Sequence, residues 1–338
     1  MINNSQIVKK TNEELIRKIL MQRETVTISY LSKKTGLSIA TCNNILNEFL
    51  QRKEILEFSL SNSTGGRKAR QFKLNVNYKL VAGIAVKIEG GARSINLVVA
   101  DWKGQHIYTD NYEFNRIDYK TIEDVIRKLL SRFQGIKALG IGIPGVANNG
   151  VIVISDVEEL INEPIKEKLE SSFPLKVNVE NEMHYTLYGL YQSKNYVVPK
   201  TEAMVIFGKD NPPGARFIVN GNILTGSTNF AGELSYIPFY NNRNEQLQRL
   251  FNPGTVNEVV SKMIISIISM INPTTVSLTG GLIENVDVKE MYQKCAEVIP
   301  EVHMPEIYII KDPQKYYNAG LITITLDTLK YGIQLVER

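Results

Sequence analysis

Residues 27–50, TISYLSKKTGLSIATCNNILNEFL, predict two helices joined by a tight turn. Thr27 or Ser29 is suited to begin the first helix, because a side-chain oxygen there can accept a hydrogen bond from the first turn. Gly36 can adopt the left-handed conformation that ends a helix. Ser38 is suited to cap the second helix. The buried stripe of that helix recurs at helical spacing and consists of Cys42, Ile45, Leu46, Phe49 and Leu50.

The opposite face of the second helix carries small and amide-bearing side chains. They are Ser38 at the cap, followed by Ala40, Thr41, Asn43, Asn44 and Asn47. A carboxamide can pair with the edge of adenine in the major groove of DNA. Helix, glycine turn and reading helix is the helix-turn-helix arrangement. These six residues are therefore predicted to contact DNA.

The flanking segments complete a small domain. Asn12 is suited to cap an earlier helix, whose apolar face consists of Leu15, Ile16, Ile19 and Leu20. Residues 54–58 and 71–74 alternate like two strands, and the polar loop SLSNSTGGRKAR joins them. Its cations are Arg67, Lys68 and Arg70. Glycines let a backbone lie close to DNA and arginine can enter a narrow minor groove, so the loop is predicted to be a DNA-contacting wing. A solvated hairpin tip is the alternative.

Charge is distributed unevenly along the chain. Residues 1–75 contain 13 Lys and Arg against 6 Asp and Glu, a net charge of +7, and the remainder contains 26 against 29, a net charge of −3. A cationic domain attracts polyphosphates through counterion release and electrostatic steering. The asymmetry favours a nucleic-acid partner, and chance clustering on a solvated face is the alternative.

Membrane and secretory segments are not indicated. No run of 18 uncharged apolar residues occurs, and residues 263–271 (MIISIISMI) fit a buried helix. Residues 1–15 lack the apolar core of a signal peptide. The two cysteines, Cys42 and Cys295, lack metal-ligand spacing and are expected to be reduced, buried thiols. We therefore expect a cytoplasmic protein without membrane contact.

From residue 78 onward, strand-like and helix-like patterns alternate. In the first half, strand patterns occur at residues 81–88, 95–101 and 106–113. An amphipathic helix at 121–133 and a buried strand at 138–144 follow them. The second half repeats this scheme. Strand patterns at 203–207 and 216–220 precede a long apolar helix at 255–271, and further strands at 275–279 and 306–310 precede a closing helix at 319–329. Two such runs predict a two-lobed α/β body with a cleft between the lobes.

Short motifs in this order make the chain similar to the repressor branch of the ROK family (repressors, open reading frames and sugar kinases). They are Gly65-Gly66-Arg67, GIGIPG at 140–145, VENE at 179–182, AGE at 231–233, Asn272-Pro273 and TGG at 279–281. The resemblance implies an N-terminal winged helix-turn-helix followed by a two-lobed actin-like body of the sugar-kinase, RNase H-like type. The expected boundaries are 1–76 for the DNA-binding domain, 78–182 for the first lobe, completed by a C-terminal helix at 312–338, and 183–311 for the second lobe.

The chain departs from the kinase members of this family at the phosphate loops and the catalytic base. The first turn, KIEGGAR at 87–93, lacks the family's Asp-x-Gly-x-Thr. In the second loop Pro212 and Pro213 each remove a backbone donor that a phosphate would need. The family's catalytic Asp is replaced in the pair Asn181-Glu182, and a Glu is one methylene longer. We therefore expect no catalytic residues and no enzyme activity.

The family's zinc site is also expected to be absent. Tyr236 stands where the family has a His, and residues 240–251 contain none of the cysteines that the site needs. Neither a metal nor another cofactor is predicted.

The resemblance implies an effector site that is only partly kept. Asn181, Glu182 and Glu233 match positions that hydrogen-bond sugar hydroxyls, and Tyr236 replaces the His that contacts the sugar in other members. The alternative is that these residues hold the cleft together or cap a helix. Lys209 and Arg216 would suit an anionic effector such as a sugar phosphate. His184 either faces the cleft or is a structural residue.

These patterns lead to one functional hypothesis and two alternatives. The hypothesis is a homodimeric transcriptional regulator, a repressor, of carbohydrate-related genes, controlled by a sugar-like effector between its lobes. It would bind a pseudo-palindromic, A·T-rich operator in double-stranded DNA. The alternatives are a sugar kinase with an added DNA-binding domain, and a regulator that has lost small-molecule sensing and responds to a protein partner or to its own concentration.

Overall fold

The N-terminal part of the chain folds into helices packed on a small antiparallel sheet. The computed structural model describes residues 4–58, 70–89, 91–209 and 211–330. Its first elements are α1 (Asn4–Gln22), β1 (Val26–Thr27), α2 (Ile28–Thr35), α3 (Ile39–Gln51), β2 (Ile55–Phe58) and β3 (Gln71–Leu74). The strands are ordered β1-β3-β2. We refer to this unit as the head.

Local capping explains the helix boundaries around the predicted turn. The Thr27 side chain accepts a hydrogen bond from the backbone N–H of Tyr30 and begins α2. Gly36 ends that helix with a φ of 73°, in the left-handed region. The Ser38 side chain accepts from the N–H of Thr41 and begins α3. The turn and both caps predicted from the sequence are therefore confirmed.

The prediction that Asn12 begins the first helix is wrong. Helix α1 already begins at Asn4 and passes through Asn12. Residues 4–22 contain neither glycine nor proline, so nothing in this stretch interrupts the helix. Strand β1 was not predicted either, because two residues are too short to show an alternating pattern.

An ion-pair network joins α1 to the start of the small sheet. Arg17 is buried and donates from Nε and Nη2 to Glu54, at 3.2 and 2.9 Å. It also pairs with Glu13 and Glu14 of its own helix. Arg52 bonds to Glu54 as well, at 3.0 Å. Because these carboxylates compensate the buried guanidinium, the network holds α1 against β2 without leaving a charge unpaired.

The body begins with a sheet that has both antiparallel and parallel neighbours. Its elements are β4 (Leu80–Glu89), β5 (Ala92–Ala100), β6 (His106–Phe114), α4 (Tyr119–Arg132), β7 (Ile136–Ile143), β8 (Gly145–Asn148), β9 (Val151–Ser155), α5 (Ile165–Ser172), β10 (Lys176–Asn181) and α6 (Glu182–Ser193). The five-stranded sheet has the order β10-β7-β4-β5-β6, and β8 and β9 form a separate hairpin.

A second five-stranded sheet repeats this topology. The elements are β11 (Glu202–Ile206), β12 (Gly214–Val219), β13 (Asn222–Leu224), α7 (Arg243–Leu250), α8 (Val256–Ile271), β14 (Thr275–Thr279), α9 (Val288–Ala296), β15 (Glu306–Ile309) and α10 (Gln314–Asp327). The order is β13-β12-β11-β14-β15. In each sheet, the first three strands along the chain are antiparallel neighbours. The next two strands are then added on one side, and each pairs in parallel with its neighbour. The two-lobed α/β body predicted from the repeated pattern is confirmed.

Helices α6 and α10 cross between the lobes at very short range. A Cβ on Gly189 would lie 1.9 Å from the carbonyl oxygen of Tyr316, and one on Gly320 would lie 1.8 Å from that of Tyr185. On one side, Tyr185 and Leu321 pack with the first sheet. On the other side, α6 packs against β11 and β12. Glycine is required at this crossing because the two helix backbones are in direct contact.

The two cysteines lie in separate cores. Cys42 is buried in the head and Cys295 in the second lobe, and both are free thiols. Burial raises the pKa of both thiols, that of Cys295 to about 11. Both are therefore poor nucleophiles at neutral pH.

Within the part of the chain that the structure describes, no helix combines the length and the apolar character needed to cross a bilayer.

We expect Gly189→Ala to lower the melting temperature by several degrees, because α6 and α10 must separate to admit a methyl group. Overpacking of this kind costs about 1–3 kcal/mol. Gly254→Ala is the control, since the nearest atom to a Cβ there is 3.4 Å away. Thermal unfolding followed by circular dichroism measures both variants. Equal melting temperatures would show that the close crossing is not required.

Candidate nucleic-acid interface and interlobe pocket

The outer face of α3 presents the predicted DNA-contacting side chains together. Ser38, Ala40 and Asn44 are exposed, and Thr41, Asn43 and Asn47 are half-buried. The Ser38 and Thr41 hydroxyls lie 2.9 Å apart and take part in the cap, so part of their hydrogen-bonding capacity is already used within α3. The remaining polar groups on this face are the three amides.

Arg70 brings the base of the wing onto α3. Its Nε and Nη2 donate to the Glu57 carboxylate at 2.6 and 2.8 Å. Its Nη1 reaches Asn43 Oδ1 at 3.3 Å, and its Nη2 reaches Asn47 Oδ1 at 3.5 Å. The hydrogen bond from Arg70 lowers the pKa of Glu57, so the carboxylate is ionised at neutral pH. The other two wing residues predicted to contact DNA, Arg67 and Lys68, lie outside the described residues.

Sequence reasoning missed three exposed side chains near this face. Ile39, at the start of α3, is 61% exposed although it is apolar. Lys33 and Lys34 are exposed in the last turn of α2. An apolar side chain here can contact a thymine methyl group, and lysines beside it can contact phosphates. The sequence could have indicated that Ile39 is exposed, because it directly precedes Ala40 on the polar side of α3.

A cavity of about 820 Å³ lies between the two lobes. Its walls include residues from both sheets, from α6 and from the start of α10: Lys87, Glu182, Thr186, Gly281, Gln314 and Tyr317. Lys87 donates to the Gln314 side chain. The Tyr317 hydroxyl is buried without a hydrogen-bond partner among the described residues, and burial raises its pKa well above the usual value. A buried hydroxyl without a partner can still donate to a ligand.

Of the four predicted effector residues, Glu182 lines this cavity, and the other three lie outside its walls. Asn181 has two structural bonds: its Oδ1 accepts from the Met183 N–H at 2.7 Å, and its Nδ2 donates to the Gly145 carbonyl. The first bond caps α6. The helix-cap alternative considered for Asn181 therefore has a geometric basis.

Glu233 is engaged by a buried arginine. Arg216 is 2% exposed, and its Nη2 lies 3.2 Å from Glu233 Oε1. Its Nη1 donates to the carbonyls of Ala215 and Ala231, while its Nε has no partner within the described ranges. Arg216 is thus committed to holding the loop that follows β13, and this pairing occupies part of the Glu233 carboxylate.

Tyr236 is on the surface of the same loop. It is 56% exposed and forms an edge contact with Phe230 at 5.1 Å between ring centroids. The Arg243 guanidinium lies 4.6 Å from the Tyr236 ring. Asn229 donates to the Ala147 carbonyl and ties this loop to the β8–β9 hairpin of the first lobe.

The remaining candidates have ordinary structural surroundings. His184 is buried, and its Nδ1 lies 3.0 Å from Glu180 Oε2. Lys209 is exposed and 3.9 Å from Glu284. The described residues contain no group of three or more His, Cys, Asp or Glu side chains able to hold a metal ion.

Helix α10 connects the interlobe cavity to the head. Gln314 and Tyr317 at its start line the cavity, and Leu326 at its end packs with Trp102 in the head core. At 14 residues it spans about 21 Å. A second cavity, of about 790 Å³, lies between its last turns and α1. Sequence reasoning missed Gln314 and Tyr317, because the partner Lys87 is 227 residues away from Gln314.

We expect Glu233→Ala to lower the free energy of unfolding by about 1–3 kcal/mol, because it leaves the buried Arg216 guanidinium without its carboxylate. The control is Asp124→Ala, which breaks an exposed pair with Lys120 whose side chains are 65% and 57% exposed. That change should cost less than about 1 kcal/mol. Urea denaturation compares the two, and equal losses would contradict the structural role assigned to the pair.

Comparisons with known proteins agree with this architecture. The xylose repressor of Caldicellulosiruptor bescii is 22% identical over 246 residues, which is 70% of this chain and 60% of that protein. The xylose repressor of Bacillus subtilis (strain 168) is 25% identical over 247 residues, 70% of this chain and 62% of that protein. The matches thus span about three fifths of the length of these curated relatives.

A solved structure extends the likeness to the head. The crystal structure of a ROK family transcriptional regulator, a homologue of the E. coli MLC protein, superposes with a TM-score of 0.68 and 16% identity. The match covers 94% of this chain and 96% of that one, and at this identity it shows the fold. The model of the ROK family matches residues 85–247. Residues 85–247 therefore match the ROK family, and the chain shares the mixed α/β, actin-like sugar-kinase fold of the solved ROK regulator.

Proposed function

We propose that this chain is a DNA-binding transcriptional regulator, a repressor of carbohydrate-related genes, and that residues 1–76 form its winged helix-turn-helix. The observation that carries the proposal is the outer face of α3. Its amides and small side chains are accessible along one side of a helix that begins directly after the Gly36 turn. A helix presented in this way fits the major groove, where amides can bond base edges.

The charge around this face supports the same function. The net charge of residues 1–75 is +7, whereas that of the remainder is −3. Lys33 and Lys34 flank the turn, and Arg70 lies over the amides. Phosphate contacts from such cations supply most of the affinity for DNA, and base contacts add specificity.

In this proposal the body is the sensor. Similar proteins include xylose repressors, and a sugar-like or sugar-phosphate effector would occupy the cavity between the lobes. Glu182 and the Tyr317 hydroxyl would bond it inside the cavity. Asn181, Glu233 and Tyr236 lie outside the walls of the cavity and stay predicted effector contacts. The lobe boundaries at 78–182 with 312–338, and at 183–311, belong to the same proposal.

Helix α10 offers a route from the sensor to the head. A ligand that displaces Gln314 or Tyr317 would shift a rigid helix whose far end packs on Trp102. Trp102 lies in the turn between β5 and β6 of the first lobe and packs into the hydrophobic core of the head, so such a shift would change the position of α3. In a homodimer, this would alter the distance between two reading helices and hence the fit to a pseudo-palindromic operator.

A sugar kinase is the second candidate function, and the glycine-lined interlobe cavity is the observation in its favour. Pro212 and Pro213 oppose it, because each lacks the N–H that a phosphate loop would supply. We expect no turnover when the chain is assayed with ATP, Mg²⁺ and a panel of hexoses and pentoses by coupled ADP detection. Sustained ADP release that depends on one sugar would favour the kinase.

We expect full-length protein to bind a duplex from around its own coding region, with affinity that falls steeply as salt increases. Asn44→Ala should weaken specific binding by roughly 5- to 100-fold, since a good base contact is worth about 1–3 kcal/mol of discrimination. Fluorescence anisotropy measures the binding. Asn111→Ala, which removes an exposed amide from β6 of the body, is the control. Equal affinities for both variants would remove α3 from the interface.

Trp102 makes the proposed coupling measurable, because it is the only tryptophan in the chain. We expect titration with xylose, N-acetylglucosamine or a sugar phosphate to change Trp102 emission for the compound that binds, with calorimetry establishing binding independently. Calorimetric binding without a change in emission would contradict coupling through α10. If none of these compounds binds, the alternative of a regulator that has lost small-molecule sensing is favoured.

A further inference from the structure

The contact between Arg70 and α3 fixes the orientation of two amides. A guanidinium only donates hydrogen bonds, so the groups facing it on Asn43 and Asn47 must be the carboxamide oxygens. The contacts of Nη1 with Asn43 Oδ1 at 3.3 Å and of Nη2 with Asn47 Oδ1 at 3.5 Å therefore turn both NH₂ groups away from Arg70. The two residues are four apart in α3 and lie on the same face of the helix.

Arg70 is held in this position independently of α3. Two charge-assisted hydrogen bonds, at 2.6 and 2.8 Å, attach its guanidinium to Glu57 of β2. The guanidinium also lies 5.1 Å from the centroid of the Phe72 ring, on β3. Both anchors belong to one antiparallel pair of strands, in which Glu57 is the direct partner of Phe72. Arg70 is thus positioned before any DNA is present.

This arrangement changes what the amides can recognise. A carboxamide pairs with adenine through its oxygen and its NH₂ group together, accepting from N6 and donating to N7. Arg70 takes one of the two lone pairs of each oxygen, and its positive charge beside the other disfavours a second donor such as the adenine N6 amino group. The NH₂ donors are therefore the groups best placed to bond a base. Donors match the major-groove edge of guanine, which offers two acceptors, N7 and O6.

We infer that Arg70 determines base specificity: by occupying the oxygens of Asn43 and Asn47 it makes this part of α3 a donor surface that selects guanine over adenine. The inference rests on the proposed function, DNA binding by the head. It also replaces the expectation that these two amides read adenine in an A·T-rich operator.

The test uses full-length protein and a pool of duplexes with randomised positions. Sequencing the bound fraction gives the base preferences of the wild type. The positions read by the two amides are those whose preference disappears in Asn43→Ala and in Asn47→Ala. We expect guanine at these positions for the wild type. For Arg70→Ala, which frees both oxygens, we expect the preference to move towards adenine by roughly 5- to 100-fold.

Two further variants separate geometry from charge. Arg70→Lys keeps the charge, but an ammonium lacks the planar fork that reaches Glu57 and both amides together, so the preference should move as in Arg70→Ala. Lys73→Ala removes an exposed cation from β3 and should weaken binding to all duplexes equally. Circular dichroism confirms that each variant is folded.

Each outcome of this experiment decides a different point. If Arg70→Ala and Arg70→Lys keep the wild-type preference for guanine, or if the wild type itself selects adenine at these positions, the inference is wrong while DNA binding stands. If the wild type selects no sequence from the pool, the proposed function fails and the inference fails with it.

Discussion

The contact between Gly189 and Gly320 is the constraint on which the rest of the body depends. The backbones of α6 and α10 touch at this point, and a methyl group on either glycine would lie within 2 Å of a carbonyl oxygen of the other helix. Overlap of that size cannot be relieved by a side-chain rotation. The two helices therefore behave as one rigid unit between the sheets.

That unit connects the interlobe cavity to the packing between the first lobe and the head. Helix α6 begins at Glu182 in the interlobe cavity and packs on both sheets. Helix α10 begins at the same cavity and ends against Trp102, in the head core. A ligand-induced displacement of the helix ends that line the cavity would consequently reach the head through packed helices. In the head, the Arg17–Glu54 pair and the Arg70–Glu57 pair hold α1 and α3 against the small sheet, so the head can move as a body.

Local features of the sequence predicted much of this structure, because they depend on neighbouring residues. The Thr27 and Ser38 caps, the Gly36 turn and strand β7 all follow from short-range rules. The repeated order of elements predicted the two lobes. The start of α1 was placed nine residues too late, at residue 13 after an Asn12 cap, because a residue suited to capping can also lie inside a helix when no breaker precedes it.

The contacts that define the sites could not be predicted in the same way. Lys87 bonds to Gln314, Arg216 pairs with Glu233, and Arg70 reaches Asn43, and in each case the partners are far apart in sequence. Residue type indicated that Asn43 could read a base, and the family resemblance implied that Glu233 could hold a sugar. The structure shows that each of these side chains already has a partner within the protein, which changes the chemistry it can offer.

Helix α3 is the surface proposed to meet DNA, and hydrogen exchange of the full chain tests this most directly. Mass spectrometry would compare the free protein with the protein saturated by a duplex that it selects. We expect the added protection to concentrate on Ile39–Gln51 and the neighbouring turn, with the outer strands of the second lobe unchanged. Protection confined to the body, with α3 exchanging as in the free protein, would contradict DNA binding by α3.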